Sequence, residues 1–149
     1  MYFIDRRKIE ATLAYMSQHI NLFNEKTEWR SEVEKLALER LAQNVIEAFI
    51  DIGNHMIDGF IMRDPGSYED IVDILVDEQV IPKDNEAGFK AIVQLRKALV
   101  SQYLTIDHDK LYTALKENQQ VLKDFPRQVR HYLEQELGPV SAFMPENQE

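Results

Sequence analysis

The sequence has no cysteine, and glycine and proline are scarce, with five of each among 149 residues. Without cysteine, disulfide bonds, thiolate catalysis and cysteine-ligated zinc sites are excluded, so packing must hold the fold together. No glycine-rich phosphate loop is present, and no pair of histidines has the spacing typical of a metal site. We therefore expect neither a metal ion nor another cofactor.

Long hydrophobic runs are also missing, and none approaches the roughly 20 apolar residues that span a bilayer. The opening residues MYFIDRRKIEATLAYM mix charged with apolar side chains, whereas a secretory signal places its charges ahead of an apolar block. We expect a cytoplasmic protein without a membrane segment.

Positive charge is in short supply as well, because 17 lysines and arginines face 26 aspartates and glutamates, for a net charge of −9. A uniformly acidic surface repels phosphate, and neutralisation of phosphates supplies most non-specific affinity for nucleic acid. The composition therefore argues against a nucleic-acid coat protein. It leaves room for a small cleft that is locally basic.

Apolar residues recur every three or four positions, which predicts helices throughout the chain. A first helix is predicted after Asp5, and a second from a capping box at Ser31 to residue 57 or 61. A short third helix follows Ser67, and Pro82 ends it. The fourth starts at residue 84 or 85 and carries the segment from Arg96 to Tyr103. A last long helix keeps its apolar register through Pro126, either kinked there or as two nearly collinear helices.

These elements predict an all-α fold, an antiparallel bundle of about five helices. The length suits one domain, which we expect over residues 1–138, followed by a loose C-terminal tail at 139–149. The apolar stripes exceed what one small bundle can cover, so a homodimer is expected.

Arg96 occupies a position in the apolar stripe of the fourth helix. Arginine cannot shed its charge, so when it is half-buried it needs an anionic partner. Tyr103 lies seven residues on, within about 20° of the same helix face, and Lys97 adds a second cation. One interpretation is an anion site, with Arg96 as a phosphate clamp and Tyr103 as a hydroxyl donor or modification target. The other is a structural salt bridge from Arg96, within the chain or across an interface.

A second candidate cluster lies on the second helix, where Asp51 and His55 share a face at i, i+4 spacing. The carboxylate could orient the imidazole there. A solvated helix face is the alternative, and the pair alone is weak evidence for a metal site. His108 follows the end of the fourth helix and is predicted to be a cap or a solvated side chain.

The stretch LRKALVSQYLTID resembles the signature segment of the HepT-like branch of the HEPN helical domains. That signature is an arginine, four residues, a histidine, one residue and a tyrosine, followed by Ile-Asp. Arg96 stands at its arginine and Tyr103 at its tyrosine, but Ser101 stands at its catalytic histidine. Lys97 replaces the common asparagine.

Other segments are similar to the same family, so that the resemblance covers residues 5–137. LALERLAQNVIEAFIDIGNHMI is similar to its long second helix, whose polar stretch lines the cleft and here contains Asp51 and His55. PGSYEDIVDILVDEQVI is similar to its turn and third helix, and FPRQVRHYLE to its final helix.

The resemblance implies a metal-independent endoribonuclease in which two subunits form one cleft. There histidine is the acid or base, and arginine stabilises the charged phosphorane. Such proton transfer contributes about 10²–10⁴ in rate, and serine has no pKa near neutrality. We therefore expect RNA cleavage to be weakened or lost.

The resemblance also implies a partner, a small nucleotidyltransferase (MNT-type) antitoxin that can transfer AMP onto the motif tyrosine, here Tyr103. This leaves an alternative to a ribonuclease. The protein would then be a noncatalytic dimeric module that binds the antitoxin, nucleotide or RNA.

Overall fold

The computed structural model describes residues 3–138, so the tail predicted at 139–149 lies outside the described residues. Between residues 3 and 138 the chain forms five α-helices and two short 3₁₀ turns, with no strand. The helices are α1 (Arg6–Asn24), α2 (Glu32–Gly59), α3 (Tyr68–Asp77), α4 (Glu86–Val100) and α5 (His108–Leu137). The turns are Lys83–Asn85 and Tyr103–Thr105. The all-α prediction is confirmed.

Side-chain caps fix where most of these helices begin. In four of them a side chain accepts a hydrogen bond from the backbone N–H three residues on: Asp5, Ser31, Ser67 and Asp107. At α2 the Glu34 carboxylate also accepts from the Ser31 N–H at 3.0 Å, which completes the predicted capping box. Because each such cap contributes about 1 kcal/mol, the helix starts are encoded locally.

The last helix is continuous through Pro126, as its apolar register predicted. Proline has no N–H to donate to the carbonyl four residues back, so one helical hydrogen bond is lost there. Leu122, Phe125 and Val129 are all buried, and their packing keeps α5 on the core across that position.

The core is built around α2, which packs against each of the other four helices. Three phenylalanines join α2, α4 and α5 at its centre: the Phe49 ring lies 4.8 Å from Phe89 and 5.1 Å from Phe125, and Phe89 lies 5.3 Å from Phe125. Contacts of this kind add about 0.5–1.5 kcal/mol each beyond the area buried. One cluster of buried apolar side chains draws on all five helices. No helix among residues 3–138 has the length and apolarity needed to cross a membrane.

The prediction that Tyr103 continues the helix of Arg96 is wrong. The N–H groups of Ser101 and Gln102 both donate to the Lys97 carbonyl, at 2.9 and 3.2 Å, and α4 ends at Val100. Because α5 packs antiparallel against α4, the chain must reverse here. Tyr103 then lies in a 3₁₀ turn, 64% exposed, and does not share a helix face with Arg96.

The third helix is also shorter than predicted, since it ends at Asp77 instead of continuing towards Pro82. Gln79 follows with a φ of 62°, in the left-handed region that non-glycine residues seldom occupy. This residue turns the chain out of the helix.

Gly53 lets α2 and α3 approach closely, and this predicts the effect of replacing it. A Cβ at Gly53 would lie 2.5 Å from the Cγ2 atom of buried Ile71, whose branched side chain has little freedom to move. We expect Gly53→Ala to lower the free energy of unfolding by about 1–2 kcal/mol. Overpacking costs about 1–3 kcal/mol, and a contact this short against a stiff side chain falls in the upper part of that range, while the helix preference of alanine returns about 1. Urea denaturation measures this.

Gly66→Ala is the matched control, because a Cβ at Gly66 would meet only an Asp70 oxygen at 3.7 Å. Its urea midpoint is expected to equal that of the native protein or to rise slightly. If Gly53→Ala were as stable as Gly66→Ala, the close packing of α2 on α3 would be wrong.

Candidate functional site

Arg96 lies on α4 opposite α2, and its guanidinium is held by a carboxylate. The Nε–H group donates to Glu47 Oε1 at 2.6 Å, with the arginine side chain 27% and the glutamate 39% exposed. This hydrogen bond raises the pKa of Arg96 above its ordinary value, against the effect of partial desolvation. The salt bridge predicted as the structural alternative therefore forms within the chain.

An aromatic ring covers one face of the same guanidinium. The Arg96 Cζ atom lies 4.5 Å from the centre of the Tyr68 ring, a distance typical of a cation–π contact. Among residues 3–138 no acceptor takes a hydrogen bond from Nη1 or Nη2 of Arg96. These two nitrogens form a planar pair of donors that matches two oxygens of a phosphate or carboxylate.

The position of Tyr68 depends on a network at the start of α3. Arg63 donates to both carboxylate oxygens of Asp70, at 2.7 and 2.9 Å, and the Gly66 N–H donates to the same carboxylate at 2.9 Å. Ser67 caps the helix through the Asp70 N–H. The hydrogen bond from Arg63, followed by that from Gly66, lowers the pKa of Asp70 from 3.8 to about 2. The turn that carries Tyr68 is thus held by charge-assisted hydrogen bonds.

The other motif residues lie along an exposed edge beyond Arg96. The side chains of Lys97, Ser101 and Tyr103 are all exposed. Within the described part of the chain, neither the Ser101 hydroxyl nor the Tyr103 hydroxyl makes a hydrogen bond. A serine that acts as a nucleophile or proton carrier needs an adjacent base, and Ser101 has none bonded to it here.

Asp51 and His55 do not form the predicted orienting pair. Asp51 is exposed and His55 half-buried, and no hydrogen bond or ion pair joins them in residues 3–138. Asp51 instead lines a groove between α1 and α2, together with Lys8 and Glu47. In the same range, no group of three or more histidine, aspartate or glutamate side chains is arranged to hold a metal ion.

Three residues that position the site were missed from the sequence: Glu47, Tyr68 and Glu39. Glu39 Oε2 lies 2.6 Å from His108 Nε2, so His108 is half-buried and tied to α2 instead of being solvated. Glu39 and Glu47 lie about two turns apart on α2. Glu47 bonds to Arg96 and Glu39 bonds to His108, so α2 holds both ends of the segment from Arg96 to His108. Nothing in the local pattern singles out these two among 26 acidic residues.

The low pKa of Asp70 predicts how the network at α3 responds to acid. Because the folded-state pKa of about 2 lies below the ordinary 3.8, this carboxylate stabilises the fold above about pH 4. That contribution is lost as the pH falls towards 2. We expect Asp70→Asn to be less stable than the native protein at pH 6, with the difference shrinking between pH 4 and 2 in chemical denaturation.

Asp64→Asn is the control, since Asp64 is an exposed aspartate of the same turn without an ion pair in the described residues. Its stability should follow that of the native protein at every pH. A constant difference between Asp70→Asn and the native protein from pH 6 to 2 would contradict the assignment.

Comparison with known proteins identifies related chains. The profile of a family described as "Ribonuclease HepT-like" matches residues 9–129. The protein named "Putative RNase YutE" of Bacillus subtilis (strain 168) is 53% identical over 143 residues, which cover 96% of this chain and 99% of that protein.

Two solved structures extend the comparison. The structure of YutE from Bacillus subtilis, described as a cytosolic protein of unknown function, matches with a TM-score of 0.91 at 53% identity, over 96% of this chain and all of that one. A crystal structure of a toxin–antitoxin with AMP-PNP matches with a TM-score of 0.65 at 20% identity, over 82% of this chain and 95% of that one. At that identity the second match shows a shared fold.

Proposed function

Because the chain belongs to the HepT-like ribonuclease family, we propose that it forms a homodimer that binds RNA phosphate at Arg96, with cleavage activity weakened or lost. The observation that carries this proposal is the pair of donors Nη1 and Nη2 of Arg96, which make no hydrogen bond to any described residue. Glu47 and Tyr68 already fix the guanidinium, so little side-chain freedom remains to be lost when an anion binds. Exposed Lys97 on the next position supplies a second positive charge.

We expect cleavage to be weak because the chain lacks the group that transfers the proton. In the mechanism that the family resemblance implies, no metal ion takes part and the motif histidine moves the proton. Ser101 cannot do so near neutral pH, and a positioned acid or base is worth about 10²–10⁴ in rate. His108 does not substitute for it in the single chain, because its Nε2 is engaged with Glu39. Arg96 can still bind and polarise a phosphate.

Exposed apolar residues beside the motif support the homodimer. They lie at the start of α2 and at the end of α4 with its following turn: Val33, Leu36, Val100 and Leu104. Leu104 is 87% exposed, and a contiguous exposed apolar surface is a feature of protein interfaces. We propose that a two-fold axis through this surface brings two copies of Arg96 into one cleft.

The remaining parts of the proposal concern the chain as a whole. We infer that residues 1–138 act as one helical domain, supported by a single core that draws on all five helices. A cytoplasmic location is supported by the description of the 53% identical YutE as cytosolic.

Replacing Ser101 with histidine tests the proposed site. Ser101 is exposed, with φ −107° and ψ −29°, a conformation that histidine adopts without strain. We expect Ser101→His to raise the rate of RNA cleavage about 10²-fold or more over the native protein. Adding Arg96→Ala should remove that gain, and a time course on end-labelled RNA without added metal measures both.

Gln102→His is the matched control, because it adds an imidazole one exposed residue away from the motif position. It should leave cleavage at the native level. Equal gains in Ser101→His and Gln102→His, or cleavage that does not change with Arg96→Ala, would refute a site centred on Arg96.

A second function is favoured by the exposure of Tyr103. Its hydroxyl is open to an enzyme, and one structure that shares the fold is a toxin–antitoxin with AMP-PNP. The protein would then be a noncatalytic dimeric module that an MNT-type nucleotidyltransferase binds and modifies. An AMP group on Tyr103 would add negative charge to the exposed edge that carries Lys97 and Ser101 and would compete with RNA there.

Co-expression with an MNT-type nucleotidyltransferase tests this function. Intact-mass spectrometry is expected to find an adduct of AMP mass that is absent from Tyr103→Phe. Tyr112→Phe serves as the control, because Tyr112 is half-buried against the core and should not affect labelling. Labelling that survives in Tyr103→Phe would contradict the assigned tyrosine.

A further inference from the structure

A groove between α1 and α2 leads away from the Arg96–Glu47 pair. It consists of two cavities of about 370 and 410 Å³ that share Arg40 and Asn44 in their walls. The helices are antiparallel, so Lys8 and Asp51 flank one end and Trp29 lies at the other. Glu47 lines the first cavity and bonds to Arg96, and we call the whole depression, from Lys8 to Trp29, the α1–α2 groove.

Aromatic rings line this groove at intervals. Tyr15 is exposed in the first cavity, and its ring lies 4.2 Å from that of His19, which is held by Asn44 at 3.1 Å. Trp29 lines the second cavity and is backed by the stacked ring of Phe23 at 6.4 Å. Flat rings that are fixed from behind are platforms on which nucleic-acid bases stack.

The Trp29 indole carries a further feature. Its Nε1–H is buried and has no hydrogen-bond partner among the described residues, while Lys26 Nζ lies 5.9 Å from the ring centre. A buried donor without a partner is costly in a folded protein. Because the ring itself lines the second cavity, a molecule bound there would change the environment of Trp29.

The charges of the groove differ from those of the whole protein. Arg40 and Lys8 form no ion pair with any residue from 3 to 138, although the net charge is −9. Glu47 is neutralised by Arg96, and the other two carboxylates in the walls, Asp51 and Glu25, lie at opposite ends. The middle of the groove around Arg40 is locally positive, which suits a phosphate backbone.

We propose that the α1–α2 groove binds the single-stranded RNA that extends from the Arg96 cleft. Bases stack on Tyr15 and Trp29, and phosphates contact Arg40 and Lys8. Duplex RNA is excluded as the occupant, because its bases are stacked on one another and cannot lie on protein rings. This inference rests on the proposed function, since it takes the ligand at Arg96 to be RNA.

The groove contains none of the motif residues Arg96, Ser101 and Tyr103. RNA binding in the groove and RNA cleavage at the motif therefore depend on different residues. A chain that has lost the proton-transfer step keeps the stacking platforms, so RNA binding survives the serine at position 101.

Trp29 is the only tryptophan in the sequence, which makes intrinsic fluorescence a direct probe of the groove. We expect a short single-stranded RNA, added to the full-length protein at low salt, to change this emission in a saturable manner that weakens as salt is raised. A duplex of the same length is expected to cause no such change.

Two substitutions locate the binding. Tyr15→Ala, at an exposed ring, is expected to weaken RNA binding about 5- to 150-fold, the range measured for base-stacking side chains. Arg40→Gln should weaken it and reduce its salt dependence. Lys123→Gln is the matched control, because it removes one exposed charge from α5 outside the groove and should leave binding unchanged. Circular dichroism and melting verify the fold of each variant.

The outcomes separate this inference from the proposed function. If Ser101→His cleaves RNA but the Trp29 emission never responds, the groove is not the RNA path and the proposed function stands. If emission responds and Tyr15→Ala abolishes the response while no variant cleaves, the groove binds RNA and the ribonuclease proposal is wrong. Equal binding by Tyr15→Ala and Lys123→Gln, or an equal response to duplex RNA, would overturn the inference.

Discussion

The hydrogen bond from Arg96 to Glu47 is the constraint on which the site depends. A half-buried guanidinium keeps its proton at any physiological pH, so a carboxylate had to be placed against it, and α2 supplies that carboxylate. Tyr68 then covers one face from α3, so three helices meet at a single charge. Partly buried ion pairs add little to stability once desolvation is counted. The value of this one lies in orientation, because it aims two unused donors of one arginine in a fixed direction.

The acidic composition is compatible with the proposed site for an anionic ligand, because cations and carboxylates pair locally. Many cations of this chain are engaged by carboxylates at the surface, as Arg63 is by Asp70 and Arg130 by Glu10. Those that remain open are therefore informative, and Arg40 and Lys8 lie in one groove that shares a wall with Glu47. Net charge describes the whole surface, whereas a ligand meets the field of a few side chains within about 8 Å at physiological salt.

Much of the fold could be predicted from the sequence, because its signals are local. The caps at Asp5, Ser31 and Ser67 and the register across Pro126 need only neighbouring residues. The extrapolation to Tyr103 failed because an antiparallel α5 forces the chain to turn after Val100, and periodicity carries no information about that turn. Arg96 was recognisable as a charge in an apolar stripe. Its partners, Glu47 and Tyr68, were not, since one carboxylate among 26 is selected by tertiary packing alone.

The end of α4 places Ser101, the proposed counterpart of the family's catalytic histidine, where the fold of the single chain makes little demand on the side chain. The side chain of Ser101 is exposed, its backbone has φ −107° and ψ −29° in the right-handed region just after the helix, and its N–H closes the helix by donating to the Lys97 carbonyl. The folding of the single chain therefore neither requires nor excludes a histidine there. Histidine and serine can therefore replace one another at position 101 during evolution without an unstable intermediate, and the stability of the fold does not indicate which residue came first.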